Sequence, residues 1–137
     1  MKLIVSLIAV TTCFIPCITI AAPDITLSGR YEYRTDEESQ DMIGNFVCFY
    51  PEADSAKLLP RSKNDKRMAW FCFENEKQSK KLLGISETGK KSGCGLAGTA
   101  TVQITAYKAS RGEGDDFDTA KLQAVLNSTK PKNLSCK

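Results

Sequence analysis

Histidine is absent from the whole chain. That excludes the Ser-His-Asp and Cys-His pairings in which an imidazole activates a nucleophile, and every zinc site that needs an imidazole ligand. No two cysteines stand at Cys-x-x-Cys spacing, so neither a zinc ribbon nor a thioredoxin-like redox motif is present. Charge of one sign is also missing in excess: the formal net charge is +3 over 137 residues, too even to imply a nucleic-acid partner. Gly93, Gly95 and Gly98 match Gly-x-Gly-x-x-Gly literally, yet they precede a strand pattern rather than opening a helix, so the dinucleotide reading fails on context. No cofactor is expected.

What is there begins with an export signal. Lys2 supplies a positive start, Leu3–Ile20 an apolar run, and Thr19-Ile20-Ala21 a small-residue cleavage site. Thr11, Thr12 and Pro16 argue against a retained anchor, and Thr12 against a lipid-modified Cys13. Cleavage after Ala21 leaves residues 22–137 as a single domain, periplasmic or secreted, with no membrane role once the signal is gone. Four cysteines remain: Cys48, Cys72, Cys94 and Cys136. In a small exported domain these read as two disulfides, with three possible connectivities, and no metal site.

Two short segments carry cysteine among aromatics, Phe46-Val-Cys-Phe-Tyr50 and Met68-Ala-Trp-Phe-Cys-Phe-Glu-Asn75. Antiparallel pairing with Cys48 opposite Cys72 aligns Tyr50 with Trp70, Phe49 with Phe71 and Val47 with Phe73. It collects Val47, Phe49, Phe71 and Phe73 on one face. A slip of one residue breaks those pairs. The register therefore predicts a Cys48–Cys72 bridge, and Cys94–Cys136 is what remains.

Elsewhere, Ile25, Leu27, Tyr31 and Tyr33 alternate with polar residues and predict a first strand, with Gly29 marking a bend or bulge. Thr35–Asp41 reads as an acidic loop and Met42–Tyr50 as the second strand, ended by Pro51. The connection 52–67 holds a helical turn at Ala53–Leu59 and then a basic stretch, from which Arg61, Lys63, Lys66 and Arg67 are candidate binding residues. Asn75 is expected to cap a helix over Glu76–Leu83 that turns Lys77, Lys80 and Lys81 outward, tucks in Leu82 and Leu83, and ends at Gly84. Ser86–Gly98 reads as a glycine- and lysine-rich loop and Thr99–Tyr107 as the fourth strand. A C-terminal helix is expected from Asp116 or Asp118 to about Leu126, with Asp115, Asp116 and Asp118 as caps and dipole partners rather than a metal cluster. Asn127-Ser-Thr129 and Asn133-Leu-Ser135 are sequons with meaning only in a eukaryotic secretory host.

These elements predict a mainly β fold with short helices: a small curved sheet or OB-like barrel, a helix between strands three and four, and a C-terminal helix. The strand–strand–strand–helix–strand order resembles an OB-fold. The signal, the Cys-Phe and Phe-Cys-Phe strands and the Thr-Ala-Thr-Val-Gln-Ile-Thr-Ala-Tyr strand are similar to small exported bacterial proteins of unassigned function. The resemblance implies ligand contacts made by loops and one sheet face. The function expected is a non-catalytic binding module for a protein or glycan, its face drawn from Tyr31, Tyr33, Tyr50, Trp70 and Tyr107, of which Tyr50 and Trp70 join the basic connection as candidate binding residues. An enzyme inhibitor or immunity-type protein is the alternative. A carboxylate-pair hydrolase drawing on Glu32, Glu38, Asp41, Glu52 or Glu74 is the third reading.

Overall fold

A computed structural model describes residues 23–86, 93–112, 114 and 116–136. The expected signal, the middle of the Ser86–Gly98 loop and Asp115 lie outside the described residues. Strand outweighs helix. The elements run β1 (Ile25–Arg34), α1 (Glu37–Ile43), β2 (Val47–Pro51), α2 (Ala53–Ala56), β3 (Phe71–Phe73), α3 (Glu76–Leu82), β4 (Gly95–Lys108), β5 (Asp118–Ser128) and β6 (Lys132–Asn133). The sheet order is β1-β2-β3-β5-β4-β6, and an added β1–β4 pairing closes five strands into a ring. All pairings are antiparallel except β3 with β5. With only three residues in β3, the result is a curved sheet rather than a clean barrel.

The register around the cysteines is the one expected, Cys48 opposite Cys72 and Phe49 opposite Phe71. Both bridges form as expected, Cys48–Cys72 and Cys94–Cys136. They fit an oxidising compartment, and among the described residues no helix is long and apolar enough to cross a membrane. Leu27, Tyr31, Tyr33, Val47, Phe49, Phe71, Phe73, Val102, Ile104 and Leu122 fill the ring. Burying each large side chain contributes roughly 1.5–3 kcal/mol.

Gly29 marks no bulge: the β1–β4 ladder runs unbroken from Ile25 to Arg34. It is glycine because a Cβ there would lie 2.3 Å from the Tyr50 carbonyl oxygen. At Gly98 a Cβ would meet the Tyr31 ring at 2.6 Å, so the absence of a side chain seats that ring in the core.

The expected C-terminal helix is a strand. In β5, Asp118, Ala120 and Leu122 are buried while Thr119, Lys121 and Gln123 lie between them at greater exposure, a period of two. Ala, Leu, Lys and Gln favour helix locally, but pairing with β4 on one side and β3 on the other overrides a propensity worth only tenths of a kcal/mol per residue, roughly. β5 is thus the fifth strand.

Other boundaries differ as well. The acidic loop is helix α1, with Glu37 and Glu38 in its first turn and Gly44 ending it at φ 63°, so β2 begins at Val47 rather than Met42. β4 begins at Gly95, taking in residues expected to be loop. A register shift between Thr105 and Lys108, with Ala106 at φ 51°, inverts the inward–outward alternation. Tyr107 therefore packs edge-on against Phe71 at 5.7 Å.

In α3, Lys80 is buried and Leu82 partly exposed, the reverse of expectation. The Lys80 ammonium lies 4.4 Å from the Tyr33 ring centre and 2.8 Å from Glu76 Oε1. Asn75 makes no side-chain cap. Its amide donates to the Leu122 carbonyl at 2.8 Å and accepts from the Leu122 N–H at 2.9 Å, extending the β3–β5 ladder past the end of β3.

Candidate functional site

The outer surface of β2 and β3 carries a row of rings. Alternation turns Val47 and Phe49 inward and Cys48 and Tyr50 outward, and β3 places Phe71 and Phe73 inside with Cys72 outside. Two residues beyond the disulfide, on the same face, Tyr50 meets Trp70 with centroids 6.0 Å apart and planes 16° from parallel. The parallel β3–β5 register brings Phe117, the residue before β5, to the other side of Trp70, at 5.8 Å and 22°. Such offset stacks gain roughly 0.5–1.5 kcal/mol per pair beyond burial. The Cys48–Cys72 bridge and Ile43 form the floor, Phe46 packs beside them, and the three rings remain partly exposed. Met68, 72% exposed, stands two residues before Trp70.

Arg30 is the Cα partner of Tyr50 across β1–β2, and its guanidinium lies 4.9 Å from the Tyr50 ring centre. Glu32, two residues along the same strand, is buried. One carboxylate oxygen pairs with Arg30 Nη1, and the other accepts from Arg34 Nε at 3.0 Å. Burial raises the Tyr50 hydroxyl pKa, and the Glu32 carboxylate adds to that effect.

At the other end of the row the basic connection folds back on itself. Arg67 grips Asp65 with two donors, Nε at 2.9 Å and Nη2 at 2.7 Å, and reaches the Ser110 hydroxyl with Nη1 at 2.7 Å. Arg61 pairs with Asp65 at 2.8 Å and donates to the Arg67 carbonyl at 3.0 Å. Its Nε lies 3.2 Å from Asp118 Oδ2, an ion pair without hydrogen-bond alignment. Asp118 is buried and also accepts from the Tyr107 hydroxyl and from the Ser110 N–H at 2.8 Å. The Arg67 hydrogen bonds are the first cause that holds the Asp65 carboxyl far below its ordinary range. Burial, then the Asp118 hydrogen bond, drives Tyr107 well above its own.

Sequence-chosen residues therefore divide. Tyr50 and Trp70 meet as expected. Arg61 and Arg67 border a small cavity of about 40 Å³ together with Trp70, Phe117 and Asp118, and both are engaged in ion pairs rather than lying on an open basic loop. Lys63 and Lys66 are exposed on the same connection. Arg30 and Phe117 were missed. Arg30 had a signal, its outward position in the alternation of β1; Phe117 had none, because it falls at the start of the stretch expected to be helix.

The other carboxylates scatter. Glu38 and Asp41 lie on the exposed side of α1 and Glu52 is exposed after β2. Glu74 accepts from Thr119 at 2.8 Å and Lys108 at 3.1 Å, contacts that lower its pKa. Among the described residues no cluster of three metal-ligating side chains occurs. No family model, curated protein or solved structure matches the chain, so the site is read from its own geometry.

Proposed function

We propose that this chain is a small exported binding module that engages a protein partner, without catalysis, along the Tyr50–Trp70–Phe117 row. The observation that carries the reading is the stack itself. Trp70 has a neighbouring ring on each side, so its faces are taken and the row offers its ring edges. A sugar or base binds an aromatic by lying on a free face; a row of edges beside an exposed methionine suits the apolar side chains of a protein surface. The five-strand ring with a helix between strands three and four supports the OB-like reading, in which the face over strands two and three is a customary ligand site. That analogy locates a site and names no ligand. Exposed Lys63 and Lys66, on the connection whose Arg61 and Arg67 border the row, steer an acidic approach.

Photo-crosslinking tests this. Benzoylphenylalanine replacing Met68 is expected to give one discrete protein adduct in the native exported fraction, and the same group replacing Leu126, also exposed, to give none. Equal labelling from both positions refutes the site. Glycan-array binding that survives Trp70→Ala, with no adduct from position 68, refutes the protein partner. The inhibitor reading is supported if the adduct is an enzyme whose activity falls with one equivalent of this chain.

A further inference from the structure

The Arg30–Glu32–Arg34 group does something that the aromatic row does not. It borders an open cleft of about 500 Å³, with Arg30, Glu32, Arg34 and Tyr50 on one side and Leu134 and Ser135 on the other. The tail wall is fixed in place: Cys94 N–H donates to the Leu134 carbonyl at 3.0 Å, Leu134 N–H to the Gly95 carbonyl at 2.8 Å, and Cys94–Cys136 closes the segment covalently.

Arg30 is held at two points. Nη1 is tied to the buried Glu32, and the guanidinium lies over the Tyr50 ring. Glu32 has only 4% of its side chain exposed, so it is inaccessible as a ligand itself and acts as an anchor. Among the described residues the hydrogen bonds of Arg30 use Nη1 alone, which leaves the Nε/Nη2 edge, the fork that takes both oxygens of a carboxylate. Arg34 spends Nε on Glu32, and its Nη1 is 3.8 Å from Asp36 Oδ1. Glu32 and Asp36 together balance the two guanidiniums, so the group holds no surplus positive charge and recognition rests on the Arg30 fork. A carboxylate brings one uncompensated charge to it, a phosphate or sulfate dianion two. A uronic acid would need a sugar platform, and Tyr50 has Arg30 on one side and Trp70 on the other.

We propose that Arg30 is a preorganised receptor for a single carboxylate, that of an acidic side chain or chain terminus on the protein partner, in the cleft walled by the disulfide-held tail. This rests on the protein-partner reading above and specifies the partner's chemistry: an acid flanked by apolar side chains.

The test uses the side-chain Nε–H resonances of Arg30 and Arg34 in the ¹⁵N-labelled protein, titrated with N-acetyl-phenylalanine as its carboxylate and, separately, as its amide. Saturable shifts at Arg30 with the carboxylate and not the amide are expected. Arg30→Lys keeps the charge but loses the fork and should weaken binding about tenfold, read on the Tyr50 and Arg34 signals; Lys77→Gln on the outer side of α3 should change nothing. Equal response to carboxylate and amide overturns the proposal, as does an Arg30→Lys variant that binds as before. A stronger response to sulfate than to the carboxylate also overturns it, as generic anion pairing. Crosslinking at position 68 and this titration fail separately. An adduct without carboxylate binding leaves the module and removes the receptor; carboxylate binding without an adduct leaves the receptor and removes the aromatic row as the docking face.

Discussion

Asn75→Ala should be among the most damaging single substitutions outside the apolar core. The wild-type amide supplies both hydrogen bonds to the backbone of Leu122, a residue with no exposed surface. Truncation leaves a buried N–H and a buried C=O without partners. At about 1–3 kcal/mol for each unsatisfied group, with some relief from water entering at the edge of α3, the expected loss is about 2–4 kcal/mol. That is a large share of the ~5–15 kcal/mol that holds a domain of this kind. It corresponds to a fall in Tm of about 8–15 °C. Urea unfolding with the disulfides intact, followed by Trp70 fluorescence and by circular dichroism, should show a lower midpoint with an unchanged slope. Asn75→Asp separates the two bonds. At neutral pH its carboxylate still accepts from Leu122 N–H but faces the Leu122 carbonyl oxygen with a charge instead of a donor. Its folded-state pKa is therefore raised, and the deficit should shrink as the pH falls through that value, because the protonated form donates again. A change within about 0.5 kcal/mol for Asn75→Ala, the range of an ordinary surface substitution, would refute the reasoning. So would an Asn75→Asp deficit that does not depend on pH.

Two further outcomes concern the long connection. Arg61→Gln should lower Tm by about 5 °C or more because it removes contacts to Asp65, the Arg67 carbonyl and buried Asp118, whereas Lys63→Gln and Lys66→Gln together should leave Tm within about 2 °C; equal effects from the two would show that the Arg–Asp cluster is not structural. Asp65→Asn should flatten the acid limb of stability: a carboxyl depressed in the folded state contributes stability above its unfolded pKa near ~4 and loses it as pH falls through the folded value, so wild type should lose stability more steeply than the variant below about pH 4 in a Tm-versus-pH series.

Cysteine and aromatic placement in two short segments was enough to determine the centre of the sheet by itself. A slip of one residue separates Phe49 from Phe71 and the two cysteines from each other by face, and among the registers that keep the faces only the one with Cys48 directly opposite Cys72 lets them bridge. It also carried Tyr50 to Trp70, and with them half of the candidate site. Strand β1 was legible for the same kind of reason, a local pattern with one good solution; α3 was legible in its place but not in its facing, since Lys80 is buried and Leu82 is not. β5 was not: Asp118 to Leu126 carries an apolar pattern that two periods fit, and its strand form is decided by the edges that β4, the preceding strand, and β3, far back in the sequence, offer it. That decision moved Phe117 onto the aromatic row and Asp118 into the interior. Arg61 and Arg67 illustrate the same division, since a count of charges along 57–67 shows a basic loop, and only the folded chain brings Asp118 and Ser110 across to engage it. Side-chain periodicity is a property of neighbours along the chain, whereas ion pairs and unclaimed guanidinium edges depend on distances between strands, which the tertiary structure alone sets.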